Sequence, residues 1–194
     1  MTREPRKLGQ APDAAGLRVI AIAHLARFAA TEAGLAHVLN RRIERWTRAA
    51  AAAGLDAEII ATARDAARAA VPGIIASLRD LGAVDDGAFA ASRARRLARE
   101  GKSRRATIAH LAAKGIDQSM AAAAISDDPS RDVASACAYL RRRRLPPFGP
   151  GDPLRALAAL ARGGFDRDTA DRALALDAEA AEALVIALKR GDTG

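Results

Sequence analysis

One cysteine, one tryptophan, one tyrosine and four phenylalanines are all that 194 residues hold of the side chains that usually staple or fill a small protein. A lone Cys137 excludes an internal disulfide, and its neighbours Ala134, Ala136 and Ala138 mark it as a small core-facing side chain. The poverty of aromatics means a core of closely approaching Ala, Leu, Ile and Val faces, and it argues against a surface that stacks single-stranded bases. Strand formers are scarce, which excludes a sheet-based fold. No apolar run reaches the roughly 20 residues that span a bilayer, and Met1 to Ala11 is charged with no signal-peptide core after it. The expected location is the cytoplasm, away from membranes. His24, His37 and His110 fall on separate predicted helices with no ligand partner at metal spacing. There is no Gly-rich phosphate loop, no nucleophile motif, and no acid/base pair in the adjacent Asp85 and Asp86. The sequence therefore offers no catalytic site, metal site or cofactor, and an enzyme is not expected.

What is present is alanine and arginine. Ala supplies 52 residues, and 27 of the 31 basic residues are Arg. Alanine is the strongest helix former, with Leu and Arg close behind, so the fold class is all-α. The net charge of +8 favours a polyanionic partner, either nucleic acid or an acidic protein surface. The arginine excess fits recognition of phosphate or carboxylate by a forked guanidinium; a genomic coding bias gives the same composition.

Punctuation divides the chain into a disordered leader (1–15), a first helical repeat with an Ala-rich segment (16–82), a second three-helix repeat (83–127), a third (128–176), and a C-terminal helix and tail (177–194). Thr31, Asp56, Asp85 or Asp86, Ser103 and Asp117 are candidate N-caps. Gly54, Gly82, Gly101 and Gly115 are helix stops. Pro72 implies either two short helices over 56–81 or one bent one. The stretch from Leu145 to Pro153 holds four prolines and is predicted to be irregular.

A repeat underlies this punctuation. A shift of 49 residues superposes Leu111, Gly115, Ile116 and Asp117 on Leu160, Gly164, Phe165 and Asp166. Each reads as a helix, a glycine stop, an apolar anchor and an acidic cap, which makes a tight corner. A shift of 73 places Leu35, Val38 and Ile43 on Ile108, Leu111 and Ile116, with Arg42 in place of the glycine and Glu44 in place of the aspartate. Tandem three-helix bundles in an elongated arrangement follow, each leaning on its neighbours.

The string Asp85-Asp86-Gly87-Ala88-Phe89-Ala90, then Arg93, Arg96, Gly101, Arg104, Arg105, Ile108, Leu111 and Lys114-Gly115-Ile116, resembles the middle repeat of the RecX family of RecA regulators. Arg141 to Arg144, Phe148, Leu157, Leu160, Ala161 to Phe165 and Ala170 to Leu174 are similar to that family's last repeat. The resemblance covers roughly residues 17 to 175. It implies an array of three-helix modules lying in the groove of the RecA filament on single-stranded DNA, restraining filament growth and damping recombinase, ATPase and coprotease activity in DNA repair and the SOS response.

The residues expected to carry such binding are two basic clusters. Arg93, Arg95, Arg96 and Arg99 lie on the helix that opens the middle unit, extended by Lys102, Arg104 and Arg105. Arg141, Arg142, Arg143 and Arg144 form a run at a helix end, and Arg155 follows the proline loop. The alternative for each is a solvated helix face or a cation complementing a helix C-terminus. Phe89, Phe165 and Trp46 are read as core anchors. The expected partners are the RecA filament and single-stranded or duplex DNA through its phosphates, bound by a monomer. The alternative function is a sequence-independent basic DNA-binding helical protein; a helical scaffold for some unrelated protein also fits the composition.

Overall fold

The computed structural model describes residues 9–191, and its described residues form helices and no strand. The first eight residues of the expected leader, and 192–194 of the expected tail, lie outside these. The helices are α1 (Ala14–Leu25), α2 (Glu32–Ala52), α3 (Ala57–Asp80), α4 (Asp86–Arg99), α5 (Arg104–Ala112), α6 (Gln118–Ala123), α7 (Pro129–Arg143), α8 (Pro153–Arg162), α9 (Arg167–Leu174) and α10 (Ala178–Arg190). The chain divides into two compact units, residues 1–86 and 87–194.

Helix α1 begins at Ala14, within the segment expected as leader. The Gly16 N–H donates to the Asp13 carboxylate at 2.7 Å, which caps α1 two residues before the apolar pattern starts. In the first unit α1, α2 and α3 enclose Leu17, Leu35, Leu39, Ile43, Val71, Ile74 and Leu78. Between Asp56 and Leu81 there is one helix, with Pro72 in its interior. The missing donor and ring clash cost about 3 kcal/mol, a penalty offset by burial of Val71, Ile74, Ile75 and Leu78 on either side of the proline. Asp86, expected as an N-cap, stands in the first turn of α4 and accepts from the Glu32 N–H at 2.8 Å.

The repeated corner is physical. Gly115 and Gly164 both take φ +84°, the Ile116 and Phe165 N–H groups reach back to the Leu111 and Leu160 carbonyls at 3.1 Å, and Asp117 and Asp166 cap α6 and α9. These are the 6→1 bonds that close a helix at a left-handed residue. The first copy turns differently, at the glycine stop and acidic cap that its own punctuation marks. Its aligned segment from Leu35 to Ile43 runs unbroken through the middle of α2, because Arg42 and Glu44 supply neither a left-handed stop nor a cap. The corner lies instead at Gly54-Leu55-Asp56, where Gly54 has φ +78°, the Leu55 N–H meets the Ala50 carbonyl, and Asp56 caps α3. In each case the corner joins the second and third helices of a triplet.

In the second unit, α4, α5 and α6 bury Ala90, Leu111, Ile116 and Ala121, with Phe89 and Ile108 packed on them. The segments read as third repeat and tail share a single core, in which α10 places Ala181, Val185 and Leu188 against α7 to α9. Helix α7 is buried continuously from Val133 to Leu140, as expected of a central helix surrounded by others. Its start is at Pro129, two residues before the predicted one, because Asp128 caps it and proline suits the first turn. Cys137 is fully buried on this helix, and burial pushes its thiol up to about 11. Cys137 is accordingly expected to stay unlabelled by a thiol reagent until the unit unfolds; rapid labelling of the native chain at neutral pH would contradict this burial.

Candidate functional site

All eleven arginines and the one lysine singled out by the sequence lie in the second unit, on or beside α4, α5, α7 and α8. The fold gives them different tasks. Arg93 is half-buried and its Nε donates to His110 Nε2 at 3.1 Å. That bond needs a neutral imidazole, and burial, followed by the nearby Arg93 and Lys114 charges, lowers the His110 pKa accordingly. Arg96 is engaged by Glu100 one turn on, at 2.9 Å, which holds that carboxyl below the usual range. Arg104 reaches across to the turn before α7, donating to the Ser126 carbonyl at 3.2 Å and meeting Asp127 at 3.0 Å.

The arginine run ending α7 is similarly split. Arg141 bonds Glu182 of α10 at 2.6 Å, and the Arg143 guanidinium lies 4.3 Å from the Tyr139 ring centroid. Arg144 takes a left-handed φ of 54° at the helix cap. The Tyr139 hydroxyl donates to the Ala159 carbonyl at 2.8 Å, while its ring meets Phe165 edge-on. These two aromatics therefore anchor the core beneath the run.

Arg95, Arg99, Lys102, Arg105, Arg142, Arg144 and Arg155 are left exposed, and none has an ion pair among the described residues. They are not one patch. Arg105 lines a cavity of about 430 Å³ with Ser103, Asp132, Gly164 and Phe165, where burial raises the Asp132 pKa. Arg95 and Arg99, one turn apart on α4, line a smaller cavity of about 170 Å³ with Ser126, Leu188 and Gly191.

The third arginine of that smaller cavity is Arg131, which sequence reasoning passed over. It lies ten residues before the arginine run that ends the same helix, with no basic residue beside it in sequence, so no charge cluster announced it. Its position was the available signal. It is the third residue of α7, where the helix dipole disfavours a cation.

No group of three or more His, Cys, Asp or Glu side chains among the described residues could hold a metal ion. No helix among them is long and apolar enough to cross a membrane. Residues 85–125, spanning α4 to α6, match a family domain described as the second three-helix domain of RecX. A curated relative, the regulatory protein RecX of Myxococcus xanthus (strain DK1622), is 32% identical over 154 residues, covering 75% of this chain and 76% of the relative. With its three-helix triplets and this match running across both compact units, the chain belongs to the RecX family of regulatory proteins.

Proposed function

We propose that this protein regulates RecA by binding the filament that RecA forms on single-stranded DNA, and that its effect is inhibitory on recombinase, ATPase and coprotease activity. It acts by binding, as a monomer in the cytoplasm, within DNA repair and the SOS response. The observation that carries this reading is family membership combined with where the unpaired charge lies: Arg95, Arg99 and Arg105 project from the domain matched at 85–125 without an acidic partner among the described residues. Free guanidinium groups on short helices suit contacts to phosphates or to an acidic protein face. Several such contacts spread over tandem modules add by effective concentration, so each one need not be strong.

The test is ATP hydrolysis by the cognate RecA on single-stranded DNA while this protein is titrated, with binding to naked DNA followed at matched salt. Suppression at well under one molecule per RecA protomer is the expected outcome. No suppression, together with steeply salt-dependent binding to naked DNA, would sink the RecA reading and leave a sequence-independent basic DNA-binding protein.

A further inference from the structure

Arg131 is only 5% exposed, yet no described side chain forms an ion pair or hydrogen bond with its guanidinium. Taking a charge out of water costs several kcal/mol unless a counter-charge is supplied. Asp127 pairs with Arg104 and Asp128 caps α7, while Asp132, the next residue along, attracts Arg131 through its charge but forms no ion pair or hydrogen bond with it. Instead Arg131 borders the cavity of about 170 Å³ that Arg95 and Arg99 enter from α4. The remaining lining among the described residues carries no acidic side chain. Three arginines from two helices thus line one small space, and none of the three has an ion pair among the described residues.

We propose that this cavity is a phosphate-binding pocket, with Arg131 as its buried floor and Arg95 and Arg99 as its rim. A carboxylate presents two oxygens in one plane and is satisfied by one forked arginine. A phosphate presents oxygens in tetrahedral directions and suits donors arriving from separate helices. Arg131 sits in the first turn of α7, whose dipole repels a cation and attracts the same anion. Arg104, by bonding the Ser126 carbonyl, fixes the turn that forms one wall. The proposal rests on the RecA and DNA reading only for the source of the phosphate, a DNA strand; a free nucleotide would bring the same chemistry.

The experiment uses the full chain and its Arg131→Met variant. Inorganic phosphate, ATP and a single-stranded oligonucleotide are titrated in turn, read by melting temperature and by the arginine Nε–H resonances. In the natural chain phosphate is expected to shift the Arg95, Arg99 and Arg131 resonances and raise the melting point. The variant should lose both responses while melting no lower, because a buried unpaired charge has been replaced by an apolar side chain of similar length. Oligonucleotide affinity should fall about tenfold, as for one charged hydrogen bond, with the salt slope reduced by about one. If ATP binding falls and oligonucleotide binding does not, the phosphate is a nucleotide's and the pocket stands. Should Arg131→Met fail to fold, the exposed pair Arg95→Gln and Arg99→Gln carries the same test. Unchanged responses in either variant overturn the pocket, as does loss of binding to a poly-glutamate peptide alone, which would make it a carboxylate site on a protein interface. RecA hydrolysis run in parallel separates the two claims: suppression without any phosphate response sinks only the pocket, and a phosphate response without suppression sinks only the RecA reading.

Discussion

Gly101→Ala is expected to destabilise the second unit by about 2–5 kcal/mol, measured by urea unfolding of the full chain. Two costs add. Gly101 has φ +71°, where an added Cβ costs about 1–2 kcal/mol. That Cβ would also fall 2.6 Å from the Tyr139 backbone nitrogen and 2.8 Å from its Cα. Backbone atoms of a fully enclosed helix cannot swing aside, so the overlap is relieved only by moving α7, at about 1–3 kcal/mol for an overpacked core. Gly54→Ala is the internal control. Its φ is +78° but an added Cβ meets nothing within 4 Å, so only the backbone cost of about 1–2 kcal/mol applies. Equal losses in the two variants would show that the close approach of Gly101 to α7 contributes nothing.

Reversal of Arg95 and Arg99 to glutamate is expected to weaken suppression of RecA hydrolysis roughly 100-fold in concentration. Each exposed charge contributes up to about 1 kcal/mol with an anionic partner, and reversal replaces attraction by repulsion, so two sites lose about 3 kcal/mol. Arg96→Glu on the same helix is expected to do much less functionally, because Arg96 is already engaged by Glu100 at 2.9 Å. An equal loss from Arg96→Glu would mean that general charge on α4, and not the two unpaired guanidinium groups, governs binding. Unchanged helicity in both variants is needed for the comparison, and the exposure of these side chains makes that the expected result.

Much of the architecture was legible because short polar side chains at helix starts leave a local mark. Thr31, Asp56, Ser103, Asp117 and Asp166 each accept from a backbone N–H in the first turn of the helix they were expected to open, or stand one residue before it. The all-α class followed from alanine for the same local reason. The register of the first triplet was not legible from apolar spacing, since a long amphipathic helix offers such matches at any turn. The Gly-Leu-Asp triplet at 54–56 was the better signal, because only a left-handed stop followed by a cap makes a corner. Whether Pro72 breaks a helix depends on what its neighbours bury, which is tertiary information. The basic clusters were visible as composition. Their division into engaged and free arginines was not, because partners such as Glu182 and Ser126 lie 41 and 22 residues away in sequence. Arg131 was legible only as a cation misplaced at a helix start, since its burial without an ion-pair partner is tertiary information.

The same scarcity of aromatics places one natural reporter in each compact unit. Trp46, the sole tryptophan, is buried in the first unit with its indole N–H on the Gly9 carbonyl at 3.1 Å. Tyr139, the sole tyrosine, is buried in the second between Phe165 and the Arg143 guanidinium. Indole emission excited beyond the tyrosine band therefore follows the first triplet alone, while the far-ultraviolet dichroism of the backbone follows both units together. An unmodified sample, melted once under both optical channels, reads out whether the two halves lose structure as one cooperative system or in separate steps.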